Sequence, residues 1–126
     1  MSLQVTAIML GVQDLARAKA FYTDLGADIA QDYPNFVNLN VGGTSLALYE
    51  WEAAAQDAGV DPKGDGFRGV SFHYILDSTK DVDDVMNQAT KAGGAVVRKA
   101  EAAQWGGYFG YFSDPDGYLW KVAANA

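Results

Sequence analysis

Twice along the chain a short segment of alternating apolar residues is followed by a helical stripe and then by three more short strands. A β-strand needs one apolar face and a helix one apolar stripe, and each must be buried against another element. This order therefore predicts two helix-on-sheet modules of β-α-β-β-β form, an α+β fold. In the first module Ala7 to Val12 is predicted as a strand, with Ile8, Leu10 and Val12 on one face and Ala7, Met9 and Gly11 on the other. Asp14 is placed to cap a helix whose apolar positions Leu15, Ala18, Phe21, Tyr22 and Leu25 recur at helical spacing, with Gly26 as its stop. Strands are predicted around Ile29–Asp32 and Phe36–Val41. Gly42-Gly43 then turns the chain into a strand over Thr44–Trp51.

The pattern restarts after a connector. Glu52–Ala58 suits a helical turn, and Gly59–Gly66, with Pro62, Gly64 and Asp65, breaks regular structure. Val70–Leu76 is predicted as a strand with Ser71, His73 and Ile75 on one face and Phe72, Tyr74 and Leu76 on the other. Ser78 and Asp81 have capping-box spacing, and Val82, Val85, Met86, Ala89 and Ala92 form a stripe ending at Gly93-Gly94. Strands at Ala95–Arg98, Tyr108–Phe112 and Tyr118–Ala123 complete the module. Asp114-Pro115-Asp116-Gly117 joins the last two and fits a type I turn. The expectation is one domain over residues 1–126, with module one at about 4–52, a connector at 53–67 and module two at about 68–124. Helices on the outer faces leave the opposite faces of two curved mixed sheets to surround a cleft, the default ligand site.

Three stretches resemble the vicinal oxygen chelate superfamily, which includes glyoxalase I, extradiol dioxygenases and bleomycin-resistance proteins. They are Leu10-Gly11-Val12-Gln13-Asp14-Leu15 running into Phe21-Tyr22 and Leu25-Gly26, then Trp105-Gly106-Gly107-Tyr108, then Gly110 to Gly117 followed by Leu119-Trp120. The likeness is greatest to bacterial glyoxalase-like proteins with no assigned reaction. In the superfamily's metalloenzymes four strand positions hold a divalent metal through His and Glu. Counted from the motifs, those positions fall at Ala7, Ala47, Ser71 and Lys121, with Glu50 and His73 nearby. None of the four is an ordinary ligand, so no metal and no other cofactor is expected, and a divalent metal is the disfavoured alternative.

The residues left for chemistry are few. His73 is the only histidine, a candidate general base or hydrogen-bond donor; its structural alternative is a bond to a neighbouring strand or a dimer contact. Lys121 shares the cleft side and suits an anionic substrate, or else pairs with a carboxylate such as Glu50. These two are the candidate catalytic residues. Met9, Ala47, Tyr49, Trp51, Ser71, His73, Trp105 and Lys121 are the candidate ligand-binding residues, the aromatics for stacking or for ordinary packing at a dimer seam. Trp120 has the opposite parity to Lys121 and belongs to the core. Gly106-Gly107 lacks the helix start and lysine of a phosphate loop.

The resemblance and the residues together imply a metal-free binder of a small organic molecule. The alternatives are a lyase, isomerase or dioxygenase, either metal-free through His73 and Lys121 or metal-dependent. A homodimer is expected. A net charge of −7 disfavours nucleic acid. With no cysteine, no apolar run of membrane-spanning length and no leader, a cytoplasmic protein is expected.

Overall fold

The computed structural model describes residues 5–64, 67–104 and 106–125. Its elements fall into two compact units, Met1–Gly64 and Asp65–Ala126. The boundary lies inside the stretch expected to connect the modules.

The first unit runs β1 (Ile8–Val12), α1 (Leu15–Asp24), β2 (Asp28–Tyr33), β3 (Phe36–Val41), β4 (Thr44–Glu50) and α2 (Trp51–Ala58). Its sheet has the order β1-β4-β3-β2, with β1 parallel to β4 and the other pairs antiparallel. α1 starts where Asp14 accepts a hydrogen bond from the Arg17 amide, the cap read from the sequence. It buries Ala18, Phe21 and Tyr22 on the side of the sheet that carries Leu10, Val12, Val37, Leu39, Leu46 and Leu48. Leu39, Leu48 and Val12 are fully enclosed, as the period-two apolar pattern requires. The β3–β4 hairpin turns on Gly42 (φ 60°) and Gly43 (φ 91°), the pair of positive angles of a type I′ turn.

α2 is a full eight-residue helix where the sequence suggested a turn. Glu50 caps it by accepting from the Glu52 and Ala53 amides, and Gly59 closes it in the left-handed conformation. It packs over Gly11, on the face opposite α1. A Cβ at Gly11 would sit 3.5 Å from Trp51 Cε3 and 3.7 Å from Ala54 Cβ, so the helix rests directly on the β1 backbone. Trp51 therefore begins α2 and does not end β4, a correction to the predicted strand. The capping carboxylate of Glu50 is the reason: it starts the helix one residue earlier than alternation alone implied.

The second unit runs β5 (Ser71–Leu76), α3 (Thr79–Lys91), β6 (Ala95–Ala102), β7 (Tyr108–Ser113) and β8 (Leu119–Ala124). The sheet order β5-β8-β7-β6 repeats that of the first unit, again with one parallel pair, β5 with β8. Ser78 caps α3 through the Asp81 amide. Val82, Met86 and Ala89 face the sheet side holding Val122, Phe112 and the half-buried Trp120. Trp120 stacks on Phe112 with ring planes 1° apart, the core role its parity implied. Tyr108, on the same side, donates to Asp83 Oδ1 of α3 at 2.6 Å.

β6 is twice the predicted length because its alternation is interrupted. Its register against β7 slips by one residue between Val96 and Arg98 and again between Arg98 and Glu101. Each bulge adds a residue that faces no partner and resets parity, so period-two reading stops at Arg98. The Asp114 turn forms as predicted, with the Gly117 amide bonded to the Asp114 carbonyl. Asp114 is buried, and its carboxylate accepts from the Asp116 and Tyr118 amides, each at 2.9 Å.

Candidate functional site

In each unit the helix that follows the first strand covers one sheet face, and the candidate residues stand on the other. On the first sheet that face carries Met9 and Gly11 from β1, Ser45, Ala47 and Tyr49 from β4, and Phe36 and Asn38 from β3. Met9 stands in register with Ala47, and Ala47 with Asn38. Met9 is exposed, Ala47 is buried, and Tyr49 is half-buried.

This face carries aromatic rings that the sequence reading did not include. Tyr49 meets Phe36 edge-on at 6.1 Å, and Phe36 meets Tyr33 at 6.5 Å, a row of three rings crossing β4, β3 and β2. Phe36 and Tyr33 were not singled out from sequence, although Phe36 alternates with the buried Val37 and so shares the Tyr49 face through the register. Beside this row Ser45 donates to Asn38 Oδ1 at 2.9 Å. Trp51 reaches the same side of the sheet from α2, its ring over Gly11 and its indole N–H donating to the Pro62 carbonyl at 2.6 Å. Trp105 lies outside the described residues.

On the second sheet the uncovered face carries Ser71 and His73 from β5, Lys121 from β8, and Phe109 and Tyr111 from β7. His73 pairs with Lys121 across the parallel ladder, so the two candidate catalytic residues are neighbours. Ser71 Oγ and His73 Nε2 are 3.2 Å apart. Among the described residues the structure gives His73 no carboxylate partner, so this pair lacks the acid that orients a catalytic triad. Lys121 Nζ lies 4.7 Å from the centroid of the Phe109 ring, and Arg98 Cζ lies 4.6 Å from the same point. Both are cation–π distances, and the two charges are held within about 9 Å of each other, the sum of those separations. Arg98 was not a sequence candidate, since the bulges that bring it here cannot be read from alternation. Tyr111 stands between them in register and meets Phe109 edge-on at 6.2 Å.

The positions at which the sequence resemblance places the superfamily's metal ligands hold two methyl groups, a hydroxyl and an ammonium. Ala7 precedes β1 and is exposed; Ala47 is buried on the sheet face opposite α1, and Ser71 and Lys121 stand on the face opposite α3. Glu50, the nearest carboxylate to Ala47 in sequence, is occupied in capping α2. Among the described residues no three His, Cys, Asp or Glu side chains gather as a metal site. This donor set does not fit a divalent ion, since an ammonium repels one and a methyl cannot coordinate it.

No helix among the described residues is long and apolar enough to cross a membrane. No curated protein is significantly similar to the chain. Solved structures are. A glyoxalase-related enzyme from Fulvimarina pelagi is 29% identical, with a TM-score of 0.86 over 97% of this chain and 88% of that one. A hypothetical protein from S. aureus is 27% identical, with a TM-score of 0.87 over 98% of this chain and 95% of the other. A lactoylglutathione lyase from Agrobacterium tumefaciens, at 23% identity and a TM-score of 0.72 over 98% and 95%, shares the fold. The family model described as Glyoxalase/Bleomycin resistance protein/Dioxygenase superfamily matches residues 4–122, nearly the whole chain with both β-α-β-β-β units, and the protein belongs to that superfamily.

Proposed function

We propose that the protein binds a small organic molecule on the sheet faces opposite α1 and α3, without the superfamily's divalent metal. The observation that carries this reading is Lys121. Where the resemblance places a metal ligand it presents an ammonium group, which is seated over Phe109 and in register with His73. The aromatic row Tyr33–Phe36–Tyr49 on the first unit supports an organic rather than an inorganic ligand.

Melting curves with added nickel, zinc, manganese and ferrous iron test the first half of the proposal. No rise is expected with any of them. A rise that saturates near one equivalent would overturn it, because a tight ligand of the native state stabilises by mass action. Titration with planar aromatic compounds, followed by tryptophan fluorescence, tests the second half. Saturable binding without turnover is expected.

A second reading has one observation in its favour. The Ser71–His73 hydrogen bond and the adjacent Lys121 place a proton carrier beside a cation, the elements of a metal-free lyase or isomerase. A pH–rate profile that collapses in His73→Gln would establish it. We further propose a homodimer, supported by exposed apolar residues on the strands at the edge of the second sheet: Tyr74, Ile75, Val96 and Val97. Sedimentation equilibrium decides that point. The cysteine-free sequence supports a reducing cytoplasmic setting, and the net charge of −7 argues against nucleic acid as a partner.

A further inference from the structure

Across the second sheet, on its uncovered face, four residues stand in one continuous row. Arg98 pairs with Tyr111, Tyr111 with Lys121, and Lys121 with His73, one from each of β6, β7, β8 and β5. Neighbouring strands are about 4.8 Å apart, so the row spans roughly 14 Å. Every member can donate a hydrogen bond: a guanidinium, a phenol, an ammonium and an imidazole. None is a carboxylate. The chain as a whole has nine Lys and Arg against sixteen Asp and Glu, so the row locally reverses the charge of the protein.

The arrangement is also built. The double bulge in β6 resets its register so that Arg98 faces Tyr111 and its guanidinium lies over Phe109. The second bulge needs Gly110, since a Cβ there would meet the Ala100 backbone and the Arg98 carbonyl oxygen at 2.9 Å. Glu101 stands in register with Phe109, yet among the described residues no ion pair joins Arg98 to a carboxylate. Bulges commonly re-aim a side chain where a site requires it.

We infer that the row Arg98–Tyr111–Lys121–His73 seats the anionic group, carboxylate or phosphate, of a small organic ligand. The inference deepens the metal-free binding reading and rests on it. A planar guanidinium grips a two-oxygen anion in a fork, while the ammonium adds a point charge without geometric demand.

The chain supplies its own reporter, because His73 is the only histidine and its ring protons give isolated NMR signals. The whole protein is titrated with benzoate, with phenyl phosphate, with the neutral isostere benzamide and with inorganic phosphate. Benzoate or phenyl phosphate should move the His73 signals saturably, and benzamide should bind roughly tenfold or more weakly, the loss expected for a charge-assisted contact. Which of the two anions binds tighter distinguishes carboxylate from phosphate chemistry, and inorganic phosphate shows whether the anion suffices without its ring. Lys121→Gln and Arg98→Gln should each weaken the better anion about tenfold. Arg98 is exposed, so its variant leaves the core intact even if Lys121→Gln does not fold.

Equal binding of benzoate and benzamide, or anion binding unchanged in Arg98→Gln, would overturn the inference while small-molecule binding stands. No movement of His73 with any of the four probes would overturn it as well. The broader reading is then judged separately, by the metal melting curves.

Discussion

Replacing Gly110 by alanine adds one methyl group against the β6 bulge. The new Cβ would stand 2.9 Å from Ala100 Cα, 2.9 Å from Ala100 N and 2.9 Å from the Arg98 carbonyl oxygen. Comfortable separations for such pairs begin near 3.5 Å, so three contacts are too short at once, all of them to backbone. Overpacking of this kind costs about 1–3 kcal/mol. Against it stands the ordinary gain from replacing glycine in a strand, about 0.5–1 kcal/mol. The net expectation is a loss of about 1–2 kcal/mol, which in a chain of this size lowers Tm by roughly 3–10 °C. Gly11→Ala is the internal control, because its Cβ meets Trp51 and Ala54 at 3.5–3.7 Å, ordinary contact. That variant should melt at or slightly above wild type. Both are read by thermal denaturation followed by circular dichroism. A Gly110→Ala protein as stable as Gly11→Ala would refute the claim that glycine is required for the bulge, and with it the account of how Arg98 is placed.

Ser78→Ala removes the α3 cap and should cost about 1 kcal/mol, measured as a lower denaturant midpoint at unchanged m-value. Asp114→Ala leaves the Asp116 and Tyr118 amides without their buried acceptor and should cost about 2–3 kcal/mol by the same assay. The Tyr108 hydroxyl is held above the ordinary tyrosine range, chiefly by its hydrogen bond to Asp83, with desolvation and the Asp83 charge adding to it. The folded state thus binds this proton more tightly than the unfolded one. Its contribution is complete below the unfolded tyrosine value near 10 and is lost as pH rises through the higher folded value. The stability difference between wild type and Tyr108→Phe should therefore shrink in strong alkali. An alkaline absorbance titration should show one phenolate fewer at the late end in the variant.

Much of this architecture is legible in the sequence because it is dictated by period and punctuation. Ile8, Leu10 and Val12 alternate and end up on the side of the sheet on which α1 packs. Asp14 and Ser78 stand one residue before α1 and α3 and cap them, and Asp114 opens a turn whose chemistry admits few alternatives. What was not legible depends on contacts across strands. Trp51 keeps strand parity with Tyr49, yet Glu50 two residues before the Glu52 amide starts a helix there. Arg98 closes the readable part of β6, and the bulges that give it a role have no sequence signature beyond the glycine opposite them. Phe36 and Tyr33 become part of an aromatic row only once the β2–β3–β4 register is known.

The two units share a topology and differ in what they present on it. Counting from the matching strand ends Val12 and Leu76, Met9 occupies the place of His73. The register then carries Met9 to Ala47, Asn38 and Gln31, and carries His73 to Lys121, Tyr111 and Arg98. Even the irregularity is repeated, since Gln31 follows a register shift in β2 as Arg98 follows one in β6. The same row of the same sheet is thus neutral and partly apolar in the first unit and a line of hydrogen-bond donors, two of them cations, in the second. Part of the contrast follows from packing, since α2 lies over Gly11 on this face of the first sheet, but α3 packs only on the opposite face of the second sheet and does not account for the donor row there. The anionic end of a ligand would draw on the row of the second unit, whereas a divalent ion would be repelled by the two cations in it.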